Sequence, residues 1–170
     1  MKGIDVLLDA MAKLKADGRP GRLVLAGGSF FRNTRLQEEQ LRARAEELGL
    51  GDRVTFLGRR PPEEVARLMA ESAVLVLPSR AESFGTVLVE SLSSGTPVVA
   101  TRCGGPEDIV SPEVGELVPV GDSAALADAL DRTLSRHDWD GARLRGYAID
   151  RFHWDLTVDR TYQVYRDVTG

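Results

Sequence analysis

The 170-residue chain has one cysteine, Cys103, and two histidines, His137 and His153. A lone cysteine excludes an internal disulfide framework and a cysteine-rich zinc module. The histidines stand too far apart for a local metal motif, and neither is flanked by ligand-like residues, so no metal site is expected. No apolar run approaches the ~20 residues that span a bilayer. There is no basic excess either: 22 Lys and Arg face 26 Asp and Glu, a net charge of −4. That balance argues against a dedicated nucleic-acid binder. Neither a Gly-x-Gly-x-x-Gly fingerprint nor a Gly-x-x-x-x-Gly-Lys-Ser/Thr loop occurs, which removes the dinucleotide motif and the P-loop. The opening residues, Met1-Lys2-Gly3-Ile4-Asp5, lack the apolar stretch and cleavage site of a signal peptide. Internal repeats and low-complexity segments are absent. The expectation is a cytoplasmic α/β domain.

What is present suffices for a core. The chain is 42% hydrophobic and 28% charged, and its length suits one domain, at most with an appendage. Its apolar residues change period repeatedly. Gly3 to Asp17 reads as a helix, with Ile4, Leu7, Leu8, Met11 and Leu14 on one face. Strands are expected at Arg22–Gly27, Val54–Leu57, Ala73–Leu77, Pro97–Thr101 and Glu116–Val120. Helices are expected at Thr34–Leu48, Pro62–Glu71, Gly85–Ser94 and Ser123–Ser135, the last capped by Ser123, and from about Leu156 to Val168. Gly27–Asn33 and His137–Arg145 read as weak linkers. Strands apolar on both faces, alternating with helices, indicate a doubly wound, Rossmann-like parallel sheet with helices on both faces. In such a sheet a strand feeds each crossover helix. None precedes the helix at Gly3, so the first strand of the domain is expected to be missing.

The informative stretch is Leu77-Pro-Ser-Arg-Ala-Glu-Ser-Phe-Gly-Thr-Val-Leu-Val-Glu90, followed by Ser94-Gly-Thr-Pro-Val-Val-Ala-Thr101 and Gly104-Gly105. A strand ending at Leu77 and a helix starting near Gly85 put the loop at the C-terminal edge of the sheet, where open α/β folds bind ligands. The amides of Phe84, Gly85 and Thr86 would be unpaired donors at a helix N-terminus, suited to a phosphate. Glu82 in the loop and Glu90 on the helix could face one crevice, and carboxylates accept from sugar and ribose hydroxyls.

Two glutamates at that spacing are weak evidence alone. The whole string is far more specific. Glu-x-Phe-Gly-x-x-x-x-Glu, with Val-Leu-Pro-Ser before it and Gly-Thr-Pro-Val-Val-Ala and Gly-Gly after it, resembles the donor-binding domain of the retaining, nucleotide-sugar-dependent glycosyltransferases of GT-B fold (family-four type, glycosyl transferases group 1). Lys2-Gly3 with the following helix, Leu23–Gly28, Arg53–Gly58 and Val114–Val118 extend the resemblance over nearly the whole chain.

The resemblance implies that Glu90, the second glutamate of an E-x7-E motif, binds the ribose hydroxyls. Glu82, the first, lies by the transferred sugar. Ser83, Phe84, Gly85 and Thr86 supply backbone amides to sugar and phosphate, and Lys2 neutralises the donor diphosphate. The loop containing Arg59 holds the base. No metal and no cofactor beyond the nucleotide-diphosphate sugar is implied. The family's diphosphate arginine and its N-terminal, acceptor-binding domain have no counterpart in the sequence. On this reading residues 1–150 form the Rossmann-like nucleotide-sugar-binding domain, and 151–170 the helix that crosses back to that other domain.

Blander readings stay open for single residues. Lys2 is a solvated terminus or a phosphate ligand, and Arg59 a solvated turn or a base contact. Cys103 reads as a small buried thiol, Trp139, Trp154, Tyr162 and Tyr165 as packing residues, and the arginine-rich Arg32–Glu47 as a solvated helix face with i,i+4 pairs. The expectation is the donor half of a glycosyltransferase, inactive in transfer without a partner domain or subunit. The alternatives are a non-catalytic nucleotide-sugar binder, a subunit of a two-chain transferase, or a homodimer formed through the exposed sheet edge.

Overall fold

The computed structural model describes residues 2–27 and 34–169. The linker expected at Gly27–Asn33 lies, apart from Gly27, outside the described residues. The order of elements is α1 (Ile4–Ala16), β1 (Leu23–Ala26), α2 (Thr34–Glu47), β2 (Val54–Gly58), α3 (Pro62–Glu71), β3 (Leu75–Leu77), α4 (Thr86–Ser93), β4 (Val98–Thr101), α5 (Pro106–Ile109), β5 (Gly115–Val118), α6 (Ser123–Ser135), α7 (Gly141–Phe152) and α8 (Trp154–Thr169).

All strand pairs are parallel, but they form two sheets: β1 with β2, and β3-β4-β5. Among the described residues, neither β1 nor β3 has a partner on its second edge. The helix without a feeding strand, α1, is the element that joins the halves. One apolar cluster takes Val6, Leu7, Leu8, Ala10, Met11 and Leu14 from α1, Leu126 and Leu130 from α6, and Val99 from β4. Leu23 and Leu25 of β1 and Val76 of β3 pack against that same cluster. The second cluster, on the other face, is built from Leu88 and Leu92 of α4, Leu144 and Tyr147 of α7, and Val98 and Ala100 of β4. Alternate residues of β4 therefore enter opposite cores, and all four are buried.

Several expectations need correction. The helix Gly141–Phe152 occupies much of the segment read as a linker from His137 to Arg145. Asp140 caps it, accepting from the amides of Ala142 and Arg143 at 2.9 and 3.3 Å. Ser123 is not the cap of α6; Asp122 is, accepting from Ala125 N–H at 2.9 Å. β1 is apolar on both faces as expected, but only one face is covered, because Val24 and Ala26 are exposed. Trp139 is half-buried and donates Nε1–H to the Thr133 carbonyl at 3.0 Å, as a packing residue would. Trp154, Tyr162 and Tyr165, by contrast, are 73%, 65% and 66% exposed, so they are not core packing residues.

Candidate functional site

α1 leads from a contact beside the end of β3 to the start of β1, and this sets where the loops gather. The backbone of Gly3 lies against the Pro78 carbonyl with no room for a Cβ, so α1 starts beside the C-terminal end of β3. It then runs back along the sheet, and β1 follows its end at Leu23. β1 thus points the same way as β3. The C-terminal ends of β1, β2, β3 and β4 share one edge, which carries Gly27, Arg59, the loop 78–85 and the loop 102–105.

The two latter loops are tied to each other. Glu82 N–H donates to the Cys103 carbonyl at 3.3 Å, and Gly105 N–H donates to the Glu82 carbonyl at 2.9 Å. Glu82 and Gly104 form an isolated parallel bridge. A side chain at Gly105 would run into the backbone of Phe84, so glycine there is a condition of the close approach. Thr101, 1% exposed, donates its hydroxyl to the Ser79 carbonyl. The Phe84 ring packs edge-on against Phe152 at 6.1 Å, reaching the end of α7.

This scaffold presents the Glu82 carboxylate. Its Oε2 accepts from Lys2 Nζ at 2.7 Å and from Ser79 Oγ at 3.5 Å. The Glu82 side chain is 17% exposed and Lys2 68%. Two residues 80 positions apart in sequence, both selected from sequence, are therefore in contact. Ser83, Phe84 and Thr86 are exposed and Gly85 is buried. Gly85 takes a left-handed conformation (φ 95°) as the N-cap of α4, with no side chain capping it. Among the described residues, the amides of Phe84, Gly85, Thr86 and Val87 have no acceptor, so donors and the positive end of the helix dipole face the same opening. Glu90 is exposed one turn further along α4, and its carboxylate has no partner among the described residues. Arg59 is exposed just past β2. Cys103 is half-buried rather than fully buried, with the Thr101 hydroxyl 3.4 Å from its sulfur.

Sequence reasoning missed Asp5 and Arg80. Asp5 Oδ2 accepts from Arg80 Nη2 at 2.7 Å, a second ion pair between α1 and the loop. Burial works to raise the Asp5 carboxyl, but the Arg80 hydrogen bond and charge, with the amides of Asp5 and Val6, outweigh it and hold it below the ordinary carboxylate range. Among the described residues no cluster of three or more His, Cys, Asp and Glu is arranged to hold a metal. No described helix is long and apolar enough to cross a membrane.

Parallel strands in two sheets, with helices packed on both faces, define a Rossmann-like α/β domain. The sequence profile of the family described as glycosyl transferases group 1 matches residues 1–148. The chain belongs to that family. It is 40% identical over 179 residues to a D-inositol 3-phosphate glycosyltransferase of Acidothermus cellulolyticus, covering 98% of this chain and 38% of the relative. A phosphatidyl-myo-inositol mannosyltransferase of Mycobacterium leprae is 37% identical over 175 residues, covering 98% and 43%. Among solved structures, sucrose-phosphate synthase from Thermosynechococcus elongatus superposes with a TM-score of 0.85 at 35% identity, covering 98% of this chain and 42% of that one. HepE of Anabaena in complex with UDP gives 0.85 at 27%, covering 98% and 45%. The chain thus spans about two fifths of the length of the relatives it matches.

Proposed function

We propose that this chain is the donor-binding half of a retaining glycosyltransferase, holding a nucleotide-diphosphate sugar at the edge formed by loops 78–85 and 102–105. The observation that carries the reading is the convergence of Lys2, Glu82 and the N-terminus of α4. Lys2 and the free amides supply positive charge for a diphosphate, and hydrogen-bond donors preorganised there favour its departure. Glu82 accepts from sugar hydroxyls, and the unpartnered Glu90 accepts from the ribose. Arg59 borders the base. On this reading these groups meet the diphosphate charge without a metal, and chelation should leave binding unchanged. That HepE was solved with UDP-glucose puts uridine first among the donors to be tried. Transfer to an acceptor belongs to a longer assembly, since the matched relatives are more than twice this length.

The test is calorimetric titration of the folded chain with UDP, GDP and ADP, alone and as sugar conjugates. One nucleotide is expected to bind saturably. Glu90→Ala should weaken it about ten-fold or more, the effect of losing hydrogen bonds to a charged acceptor. No binding across the panel would reject a working donor site in this chain. Saturable binding without donor hydrolysis or transfer is the behaviour of a binding module or of one subunit of a two-chain enzyme.

A further inference from the structure

Four charged side chains join the start of α1 to the loop after β3, and the donor reading uses only two of them. Lys2 meets Glu82 and Asp5 meets Arg80, each pair at 2.7 Å. Asp5 lies in the first turn of α1 and Lys2 three positions before it, while Arg80 and Glu82 are two apart in the loop after β3. The signs are crossed: a cation just before the helix faces an anion on the loop, and an anion on the helix faces a cation on the loop. Sliding the loop by two residues would set Asp5 against Glu82 in one direction, or Lys2 against Arg80 in the other. Such a pattern stabilises one register and opposes the neighbouring one. The packing of Gly3 on the Pro78 carbonyl completes the seam.

The two pairs have different fates when an anion arrives. Lys2 is 68% exposed and turns to a diphosphate, which leaves Glu82 with Ser79 Oγ and its backbone bonds. The Arg80–Asp5 pair has no such competitor. We propose that this pair is the positioning device of the donor loop, keeping residues 79–82 in register with α1 so that Glu82 stays aimed at the sugar after Lys2 leaves it. The proposal rests on the donor reading above. Arg80 and Asp5 act through Glu82 and touch no donor atom. An exposed pair of this kind adds little to global stability, so its effect is local geometry.

The experiment compares the wild type with Arg80→Ala, Asp5→Ala and the swapped double variant Asp5→Arg/Arg80→Asp, with two readouts. The first is hydrogen exchange of the Glu82 and Gly105 amides without ligand. Exchange should quicken about ten-fold in each single variant and slow again in the swap, with β4 unchanged. The second is titration with UDP and UDP-glucose. Each single variant should weaken UDP-glucose several-fold and leave UDP within about two-fold, and the swap should restore the difference. Unchanged exchange in Arg80→Ala overturns the proposal. So does equal weakening of both ligands, or a swap that restores nothing, since either marks a merely structural pair. Exchange that responds as expected in a protein binding no nucleotide supports the loop register and overturns the donor reading, so the two failures are distinguishable.

Discussion

Thr133 is buried at 2% exposure, and its hydroxyl oxygen has no hydrogen-bond partner among the described residues. A buried hydroxyl left unpaired is unfavourable by about 1–3 kcal/mol. Thr133→Val keeps the shape and removes the polar atom, so urea denaturation should show unchanged or higher stability. Thr101 is the opposite case. Its hydroxyl bonds the Ser79 carbonyl beneath loop 78–85, and Thr101→Val should destabilise by about 1–3 kcal/mol in the same measurement. Thr101→Ser, which keeps the donor, should lose less. The site residues were legible unevenly at this scale. Glu82, Gly85 and Glu90 stand in a long, specific string, and Lys2 precedes a recognisable helix. Arg80 and Asp5 carry no such mark, because isolated charges are common on any surface and only the fold sets these two side by side.

Elements were legible where the apolar period was strong. α3 runs over Pro62–Glu71 as expected, with proline at its start. α7 was hidden because it begins at Gly141, contains Gly146, and buries only Leu144, Tyr147 and Ala148. Three apolar residues at i, i+3 and i+4 among arginines and glycines give too short a stripe to read. The cap of α6 was misplaced by one position because Asp122 and Ser123 are both good caps, and only backbone geometry separates them. The helix layer carries its own charge pattern. Lys13 of α1 pairs with Asp128 of α6, Arg19 just beyond α1 with Asp131, and Arg44 of α2 with Asp9 of α1. The Lys13 hydrogen bond and charge hold Asp128 below the ordinary carboxylate range, and Arg136 does the same for Asp138. Folded values below the unfolded ones give stability that is present above the unfolded value of about 4 and lost as pH falls through the folded one. Melting temperature should therefore drop on acidification below about pH 4. The drop should be smaller in Asp128→Asn, and smaller in high salt, where exposed pairs are screened.

At the scale of the whole molecule, the decisive feature is that among the described residues no hydrogen-bonded pairing joins β1 to β3. What the sequence did not convey is how the halves stay together. α1 bridges them, because its buried face is broad enough to serve β1, β4 and α6 at once. The middle of the domain is consequently joined by apolar contact, with no ladder across it, and that has a thermal signature. Apolar cohesion weakens on cooling, whereas the hydrogen-bonded ladders within each half do not depend on it in the same way. Amide exchange in β1 and β2, measured against β3–β5 from about 25 °C down to near freezing, should show the smaller half losing protection first. A domain of this build is two leaves held by an apolar seam, and cooling is the condition expected to part them first.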